Sequence, residues 1–569
     1  MEELKYVDDN GRRALQVSLR GYDLIRHPLL NKGTAFSMDE RQHFGLEGIL
    51  PNQCMSMEQQ ASRIYTSLCE KTKSMEKYIG LAALQDRNEH LFYRVLYDHL
   101  EEFMPVIYTP TVGQATREYS HHFRRGRGLW ITPEHRGRIR EVLEQSAPFS
   151  DVRLIVVTDN ESILGIGDQG AGGIAISIGK LALYTAAAGI HPAQCLPISL
   201  DVGTNNKELL DDPLYLGWPN KRLVGDEYDS FVEEYVEAVK ILFPRALIQW
   251  EDFRKDNALG ILDRYRKSVL SFNDDIQGTG AVALAAILSA LRVTHAQLTE
   301  QNIVIFGAGA AGLGIARQLK AAMLAAGLDE ERCRENIAVL DSRGLLVTDR
   351  DLRDEYKKEL AWSPELATER GFGNHNERGL QQIISKYRPA VLIGSSGQAG
   401  SFNEKIVREM AENTERPLVL PFSNPTDNAE AVPEDIIRWS DGRALVATGS
   451  PFAPVEYNGK RHVIGQGNNV FIFPGLGLGT LLGECDIVTD NMVTAASRAL
   501  AECVTEEELE TGLLFPKITR LRESQIKVAA AVMRQAASDA VLGRDVPEDP
   551  EAFVEAAMWK PDYIDYVSG

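Results

Sequence analysis

Cysteine is scarce in this sequence, and its placement argues against two kinds of framework. Six cysteines lie at positions 54, 69, 195, 333, 485 and 503 of a 569-residue chain, without close pairs. Small secreted domains held by disulfides are much denser in cysteine, and structural zinc sites space their ligands closely. The pattern therefore favours a reducing compartment.

Long apolar runs are missing as well. The most apolar stretch, Ala281 to Leu291, falls short of the roughly 20 residues that a helix needs to cross a bilayer. The N-terminal segment MEELKYVDDNGRR carries acidic residues early and has no apolar stretch, which fits neither a secretory signal nor a transit peptide. These absences predict a cytoplasmic protein without a membrane partner.

Positive charge is also in deficit. The chain has 61 lysines and arginines against 81 aspartates and glutamates, a net charge of −20. Such a surface repels phosphate backbones and anionic lipid, so we expect no nucleic-acid or membrane partner. A site for an anionic substrate must supply its own positive charge from a metal ion, lysine or arginine.

The order of patterns along the chain predicts several domains. At 569 residues the chain exceeds a single hydrophobic core, so two or three domains are expected. Helical spacing dominates up to about Arg127, as in Ser56 to Glu70 and Asn88 to Phe103, and returns past about Asn469. Between these regions, apolar runs typical of buried parallel strands begin at residues 154, 196 and 246, then at 302, 336, 390, 417 and 444. Two α/β units are predicted, with the last helices packing on the first.

The second unit opens with a dinucleotide-binding pattern. Residues 303–314, IVIFGAGAAGLG, run from a strand into Gly307, Gly309 and Gly312, the G-x-G-x-x-G spacing, and an alanine-rich helix follows. These glycines allow a tight turn and close backbone approach, so a pyrophosphate can lie at the helix N-terminus. The alternative is a glycine-rich turn in a domain that binds no nucleotide.

The next strand of that unit ends at Asp341, which is placed to accept hydrogen bonds from the adenosine ribose hydroxyls. A carboxylate there repels the 2′-phosphate of NADP, so Asp341 favours NAD. Ser342 and Arg343 beside it would soften that repulsion, which leaves NADP as the alternative cofactor.

Acidic side chains follow two strands of the first unit. Glu251 and Asp252 end the run ALIQWED, and Asn273, Asp274 and Asp275 follow the run VLSF. The carboxyl ends of parallel strands meet at the crevice where open α/β sheets bind ligands. Oxygen ligands without nearby histidine or cysteine suit Mg²⁺ or Mn²⁺ better than zinc. One such pair alone is more often a helix cap or a solvated loop, but two pairs at strand ends favour a metal site.

Several motifs together resemble those of the malic enzyme family. They lie in order between residues 31 and 563 and include LNKGTAFS, YTPTVG at 108–113, GIGDQGAGGIAISIGK at 165–180, DVGTNN, WEDF, FNDDIQGT, SNPT around Asn424 and GQGNN at 465–469. The resemblance implies an α/β fold in four parts. These are a helical N-terminal domain (1–126), a parallel-sheet catalytic domain (127–274, completed by 469–542), a Rossmann-type NAD-binding domain (275–468) and a C-terminal tail (543–569).

For function, the resemblance implies oxidative decarboxylation of L-malate to pyruvate and CO2, with NAD as hydride acceptor and Mg²⁺ or Mn²⁺ as metal. Glu251, Asp252 and Asp275 would hold the ion, which binds the malate C1 carboxylate and C2 oxygen and stabilises the enolate left when CO2 departs. Asp275 and Asn424 would also contact the cofactor. The family implies a homodimer or homotetramer.

The resemblance also assigns the proton transfers. Lys180 would take the C2 hydroxyl proton as hydride passes to the nicotinamide, which needs a pKa lowered by metal charge and partial burial. Asp274 would lie beside Lys180 and orient it or relay its proton, and Tyr108 would protonate C3 of enolpyruvate. Asn424 and Asn468 would hydrogen-bond the substrate carboxylate or the nicotinamide. Without the family resemblance, Lys180 could be a surface lysine and Tyr108 a core aromatic residue. Asn424, which precedes a proline, could simply begin a turn.

One position departs from the family pattern. Many members read GERILG where this chain has residues 160–165, NESILG, so that the arginine of the motif is Ser162 here. A hydroxyl does not grip a carboxylate as a guanidinium does. Either Arg124, Arg125 or Arg127 supplies the missing charge, or substrate affinity is lower, or the reaction differs.

Two other functions stay open on this basis. Malolactic enzymes also lack this arginine and, with the same metal and NAD, give L-lactate and CO2 without net redox change. The threonines at 109 and 111 favour a malic enzyme, because malolactic relatives tend to have an acid after the tyrosine. An NAD-binding regulatory protein without catalysis would have lost carboxylates or the lysine, and none is lost.

Overall fold

The computed structural model describes residues 3–9, 12–163, 165–352 and 354–569, with the backbone alone at positions 9 and 12. Leu164 of the NESILG segment therefore lies outside the described residues. Contacts within the chain divide it into two compact units. Unit 1 is Met1–Phe253 with Ala556–Gly569, and unit 2 is Arg254–Glu555. The finer division into four parts stays a prediction.

The strands of the described residues are, in chain order, β1 (Lys5–Asp9), β2 (Arg12–Val17), β3 (Leu129–Ile131), β4 (Leu154–Thr158), β5 (Cys195–Leu200), β6 (Leu247–Trp250), β7 (Ser271–Asn273), β8 (Ile303–Phe306), β9 (Ile337–Asp341), β10 (Gly344–Leu345), β11 (Val391–Gly394), β12 (Leu418–Pro421), β13 (Leu445–Thr448), β14 (Val455–Tyr457), β15 (Lys460–His462), β16 (Gly465–Gln466) and β17 (Asp565–Ser568).

The α-helices of the described residues are α1 (Gly21–Arg26), α2 (Met38–His43), α3 (Met57–Cys69), α4 (Ser74–Gln85), α5 (Glu89–Asp98), α6 (Leu100–Ile107), α7 (Thr111–Arg117), α8 (Tyr119–His122), α9 (Ile139–Ser146), α10 (Ile174–Ala188), α11 (Lys207–Asp211), α12 (Asp226–Leu242), α13 (Lys255–Tyr265), α14 (Thr279–Thr294), α15 (Ala310–Ala325), α16 (Glu330–Asn336), α17 (Glu355–Leu360), α18 (Pro364–Glu369), α19 (Leu380–Tyr387), α20 (Glu404–Asn413), α21 (Pro433–Trp439), α22 (Phe473–Leu482), α23 (Asp490–Glu502), α24 (Glu506–Glu510), α25 (Leu521–Ser538) and α26 (Pro550–Ala557).

The core of unit 1 is a parallel sheet. Its strands run in the order β3-β5-β4-β6, and every pairing among them is parallel. All residues of β4 and β6 are buried, as expected for strands covered on both faces. Helix α10 packs against β4 and β5. The runs predicted at residues 154, 196 and 246 are therefore confirmed as parallel strands.

The N-terminal part of unit 1 is mainly helical, as predicted. Helix α3 begins after Ser56, whose hydroxyl accepts a hydrogen bond from the backbone of Gln59 while the Gln59 side chain accepts one in return. The predicted helix over 88–103 is interrupted at His99, where α5 ends and α6 begins. An antiparallel β1-β2 pair, joined by β17 in parallel register on β2, was not predicted. The C-terminal tail thus returns to unit 1.

Unit 2 contains a seven-stranded sheet with a Rossmann-type strand order, β10-β9-β8-β11-β12-β13-β16. Every pairing is parallel except that of the edge strand β10. From β8 the chain adds β9 on one side and β11 on the other, so the switch point lies between β8 and β11, where such sheets bind ligands. The runs predicted from residue 302 onwards are confirmed. Helix α23 packs on α14, α15 and α25, whereas completion of the catalytic domain by 469–542 stays a prediction.

Two helical stretches, 170–188 and 274–294, are long and apolar enough by composition to cross a membrane, although 94% and 72% of their most apolar windows are buried inside the protein. Core helices pass the same test. The second stretch extends the apolar run at 281–291 at both ends. All six cysteines are free thiols.

Candidate active site

Lys180 and Tyr108, predicted as base and acid, lie together in unit 1. Lys180 is in the middle of α10, and its ammonium nitrogen lies 5.2 Å from the centre of the Tyr108 ring. The lysine is 1% exposed and the tyrosine 5%. The glycine before the lysine makes this approach possible, because a Cβ at Gly179 would lie 2.7 Å from the carbonyl oxygen of Ile107.

Lys180 also forms a buried ion pair with Glu251, one of the predicted metal ligands. Its Nζ lies 3.0 Å from Oε1 of Glu251. The other carboxylate oxygen, Oε2, accepts a hydrogen bond of 2.7 Å from Gln249, whose own carbonyl oxygen accepts from the Tyr184 hydroxyl. All four side chains are buried. No sequence motif predicted that Gln249 and Tyr184 belong to this chain of contacts. The expected closeness of Asp274, a unit 2 residue, to Lys180 stays a prediction.

Asp252 follows β6 in a backbone conformation that few side chains adopt, with φ at 58°. Strained residues of this kind persist where the surrounding structure holds them, often at functional sites. Its backbone carbonyl accepts a hydrogen bond of 2.9 Å from the N–H of Ser162. The segment that lacks the family arginine is therefore tied directly to a predicted metal ligand, while the Ser162 residue itself is exposed.

A buried arginine, Arg222, organises the loops around that segment. Its guanidinium lies within 3.3 to 3.5 Å of carboxylate oxygens of Asp159, Glu161 and Asp168, and it donates to the backbone carbonyl of Gly203. Because its guanidinium already pairs with three acids, we interpret Arg222 as a residue that holds these loops together. We do not interpret it as a substitute for the motif arginine that Ser162 replaces.

The three arginines expected to substitute for that contact have other surroundings. Arg127 pairs with Asp86 and Glu89. With Arg124 and Arg125 it lines a mainly apolar cavity of about 330 Å³ in unit 1. Neither Tyr108 nor Lys180 is among the described residues that line it, although their sequence neighbours Ile107 and Gly179 are.

The acidic turn of unit 2 is a π-helical segment, Asp274–Gly278, a feature often found at functional sites. Asp274 is fully buried, and Asn469 donates to its Oδ2 at 3.0 Å and to its backbone oxygen at 3.1 Å. Asp275 is half-buried. Asn469 was not predicted as a site residue, although the GQGNN motif that supplied Asn468 contains it.

The glycine loop of unit 2 has the geometry its spacing predicts. Gly307 has φ at 127°, and helix α15 begins after Gly309. A Cβ on Gly312 would lie 1.8 Å from the backbone oxygen of Gly307, so any side chain there would force the turn apart. The loop leads directly from β8 to the N-terminus of a sixteen-residue helix, which is where a pyrophosphate is bound.

Asp341 ends β9 as predicted, but its cation neighbours were not foreseen. Arg350 lies 2.8 Å from Oδ1 and Lys357 3.0 Å from Oδ2, and the backbone N–H of Arg343 also donates to Oδ1. Burial raises the pKa of Asp341, yet the hydrogen bonds from Arg350, the Arg343 backbone and Lys357 hold it below its usual value. The cations that soften its charge are thus Arg350 and Lys357, whereas the Arg343 guanidinium donates to the carbonyl of Asp351.

The two predicted asparagines each use their side-chain oxygen within the protein. Asn424 accepts a hydrogen bond of 2.5 Å from the Ser450 hydroxyl, and Asn468 accepts one of 3.0 Å from the N–H of Val470. Within the described residues their amide N–H groups make no hydrogen bond, so these groups are the donors that a ligand could use. Asn424 is exposed beyond β12 and Asn468 is half-buried.

Comparison with known proteins agrees with this arrangement. The malic enzyme N-terminal domain model matches residues 85–266, and the malic enzyme NAD-binding domain model matches residues 276–537. The NAD-dependent malic enzyme of Aeromonas hydrophila is 46% identical over 561 residues, 99% of each chain. The NAD-dependent malic enzyme 3 of Bacillus subtilis is 46% identical over 551 residues, 96% of this chain and 97% of its own.

A solved malic enzyme from Entamoeba histolytica shares the fold, with a TM-score of 0.55 and 24% identity over 90% of each chain. The family models cover most of both units, and the relatives cover nearly the whole chain. The chain therefore belongs to the malic enzyme family.

Proposed function

We propose that the protein oxidises L-malate to pyruvate and CO2, with NAD as hydride acceptor and a divalent metal ion. One observation carries the proposal. A buried lysine lies between a tyrosine ring and a glutamate carboxylate, in a chain 46% identical over its length to proteins named NAD-dependent malic enzymes. Neither alternative weighed from the sequence, the malolactic enzyme or the non-catalytic protein, gains support from these relatives.

Glu251 and Asp252 of unit 1 and Asp275 of unit 2 are the residues that would hold the metal. The chemistry of this donor set fits Mg²⁺ or Mn²⁺, because all three are carboxylates, and Glu251 and Asp252 are almost fully buried. When bound, the ion supplies positive charge that favours ionisation of the malate C2 hydroxyl and stabilises the charge left by CO2. Gln249 and Lys180 each contact one oxygen of the Glu251 carboxylate and so fix its orientation.

Lys180, as the neutral amine, is proposed to accept the C2 hydroxyl proton while hydride leaves for the nicotinamide. Its burial excludes water from the nitrogen and favours the neutral form, and its contact with Glu251 fixes where the nitrogen points. Tyr108, whose ring faces the same nitrogen, is proposed to give a proton to C3 of the enol product. Asp274 is proposed to orient Lys180 or to relay its proton, with Asn469 holding the Asp274 carboxylate.

The glycine loop at Gly307, Gly309 and Gly312 is proposed to bind the NAD pyrophosphate, and Asp341 the adenosine ribose. Asn424 and Asn468 would donate their amide N–H groups to the substrate carboxylate or the nicotinamide. Asp275 would contact the cofactor as well as the metal. NADP remains a weaker alternative, because Arg350 and Lys357 partly neutralise Asp341.

We also propose a cytoplasmic location and a homodimeric or homotetrameric assembly. Phe123 lines the apolar cavity of unit 1 and is itself 44% exposed, and an exposed apolar surface of this kind is suited to contact with another subunit. Light scattering of the purified protein tests the assembly, since a monomer at micromolar concentration contradicts it.

The activity is tested with purified protein, L-malate, Mn²⁺ and NAD. Absorbance at 340 nm follows NADH, and the three-carbon product is identified separately. NADH with pyruvate supports the proposal. Lactate without net NADH contradicts it, and so does the absence of both products when NADP has been tried as well.

A further inference from the structure

Glu430 is a fully buried acid in unit 2 for which neither the glycine loop nor the acidic turn provides a role. It lies in the stretch between β12 and α21, and its carboxylate reaches the loops that follow both β11 and β12. We propose that Glu430 is a positioning residue that sets these two loops to receive the nicotinamide half of NAD. This inference rests on the proposed dinucleotide binding and extends it.

Oxygen Oε1 of Glu430 accepts three hydrogen bonds that join the two loops. The backbone N–H and the hydroxyl of Ser396, after β11, each donate at 2.8 Å. The hydroxyl of Ser423, after β12, donates at 2.6 Å. Ser423 in turn accepts a hydrogen bond of 2.8 Å from the N–H of Gly397. One carboxylate oxygen therefore fixes the spacing of two strand ends.

The strand end itself is shaped to admit this carboxylate. A Cβ on Gly394, the last residue of β11, would lie 2.4 Å from the carboxyl carbon of Glu430, so only glycine allows the acid to reach its place. Within the part of the chain that the structure describes, the partners of Glu430 are N–H and O–H donors and no cation. A buried carboxylate is costly unless such donors surround it, and its fixed bonds make the loops rigid.

The loops held by Glu430 adjoin both the glycine loop and Asn424. Ser395 packs so closely on the glycine loop that a Cβ on Gly307 would lie 2.4 Å from its carbonyl oxygen, and its hydroxyl donates to the Gly307 carbonyl. On the other strand, Ser423 directly precedes Asn424, whose amide is oriented by Ser450. A shift of Glu430 therefore moves the loop that follows β11 and the loop that leads from β12 to Asn424.

Strand order assigns these loops to one half of the cofactor. In a sheet of this kind the two halves of a dinucleotide lie on opposite sides of the switch point. Asp341, at the end of β9, is on the adenosine side. The loops after β11 and β12 lie beyond β8 on the other side, so Glu430 supports the nicotinamide side alone.

The test compares two ligands on the full-length protein, without metal or malate. NADH binding is measured by its fluorescence, and binding of ADP-ribose, which lacks nicotinamide, by calorimetry. The Glu430→Gln variant keeps one oxygen acceptor. It replaces the other carboxylate oxygen with an NH2 group, which cannot accept the hydrogen bond that a serine backbone N–H donates there. We expect NADH affinity to fall about tenfold, the size expected when a buried donor loses its acceptor, with ADP-ribose affinity unchanged. Glu434→Gln is the matched control, because Glu434 is an exposed acid on α21 paired with Arg438.

A selective loss of NADH affinity in Glu430→Gln supports the proposal. Unchanged NADH affinity overturns it, and equal losses for both ligands also overturn it, because they indicate a general structural role. If Glu430→Gln does not fold, the Ser396→Ala variant is measured instead. We expect the same selective loss of NADH affinity, and an unchanged NADH affinity would contradict the proposal. Failure of the unaltered protein to bind NADH would instead overturn the dinucleotide site itself.

Discussion

The ammonium nitrogen of Lys180 lies 3.0 Å from a carboxylate oxygen of Glu251, and each side chain is 1% exposed. Loss of either partner from a buried pair leaves an uncompensated charge, which is more costly than the loss of both. The proposed base and one proposed metal ligand thus form one buried ion pair. Stability and catalysis should respond differently when this pair is altered.

Lys180→Met should lower kcat by about 10²- to 10⁴-fold, the usual contribution of a positioned base, and lower the free energy of unfolding by about 3 to 5 kcal/mol. The double variant Lys180→Met/Glu251→Gln should regain much of that stability and none of the activity. Denaturant unfolding and malate turnover provide the two measurements. A single variant that keeps most of its turnover would remove Lys180 from the proposed mechanism.

Two glycines of the cofactor loop should separate folding from binding. Gly312→Ala places a Cβ 1.8 Å from the Gly307 carbonyl, so we expect a loss of roughly 1 to 3 kcal/mol of stability from overpacking. A Cβ on Gly309 meets nothing within 4 Å, so Gly309→Ala should fold normally. Both variants should bind NADH more weakly, because the backbone no longer approaches the pyrophosphate. Equal melting temperatures for the two variants would contradict this account.

Asp341 should determine the preference for NAD. In Asp341→Ser the two cations that now pair with it, Arg350 and Lys357, become available to a 2′-phosphate. The ratio of kcat/KM for NADP to that for NAD should therefore rise, by about tenfold or more. Adding Lys357→Ala should reverse part of that gain. An unchanged ratio would mean that neither cation reaches the cofactor.

The stability of the protein should fall in mild acid because two half-buried histidines are held in neutral form. Burial, with the nearby charges of His191 and Lys32, lowers the pKa of His90 to about 3, and burial with Arg13 lowers that of His191 to about 4. Both rings contact Trp559 of the C-terminal tail at 5.3 Å. Below the unfolded pKa of about 6.5, the unfolded chain binds protons that the folded chain does not.

The free energy of unfolding should then decrease as pH falls from about 6.5 towards 4, by about 1.4 kcal/mol per pH unit for each histidine. His90→Phe should make this slope shallower in denaturant unfolding at pH 7, 6 and 5. His295→Asn, at an exposed position with φ at 54° that asparagine tolerates, is the control. A slope that His90→Phe leaves unchanged would contradict the assignment.

The sequence predicted the features that neighbouring residues determine. The apolar runs that begin at 154, 246 and 302 became buried strands, and the spacing of Gly307 to Gly312 produced the expected turn, because each depends on local pattern. The pairing of β17 with β2 was missed because it joins residues from opposite ends of the chain.

Site residues whose roles depend on distant partners were missed for the same reason. Gln249 donates a hydrogen bond to Glu251 and accepts one from Tyr184, and Asn469 donates one to Asp274. No local motif predicts such contacts. The residues proposed for proton transfer came from family motifs. Their contacts within each unit, such as Lys180 with Glu251, came from the structure alone.

The central claim, that this chain oxidises and decarboxylates malate despite Ser162, is tested most directly by product identity. Purified protein with L-malate, Mn²⁺ and NAD should form NADH and pyruvate in equal amounts. Lactate with no net NADH would contradict the claim, and would mean that the missing arginine marks a malolactic reaction.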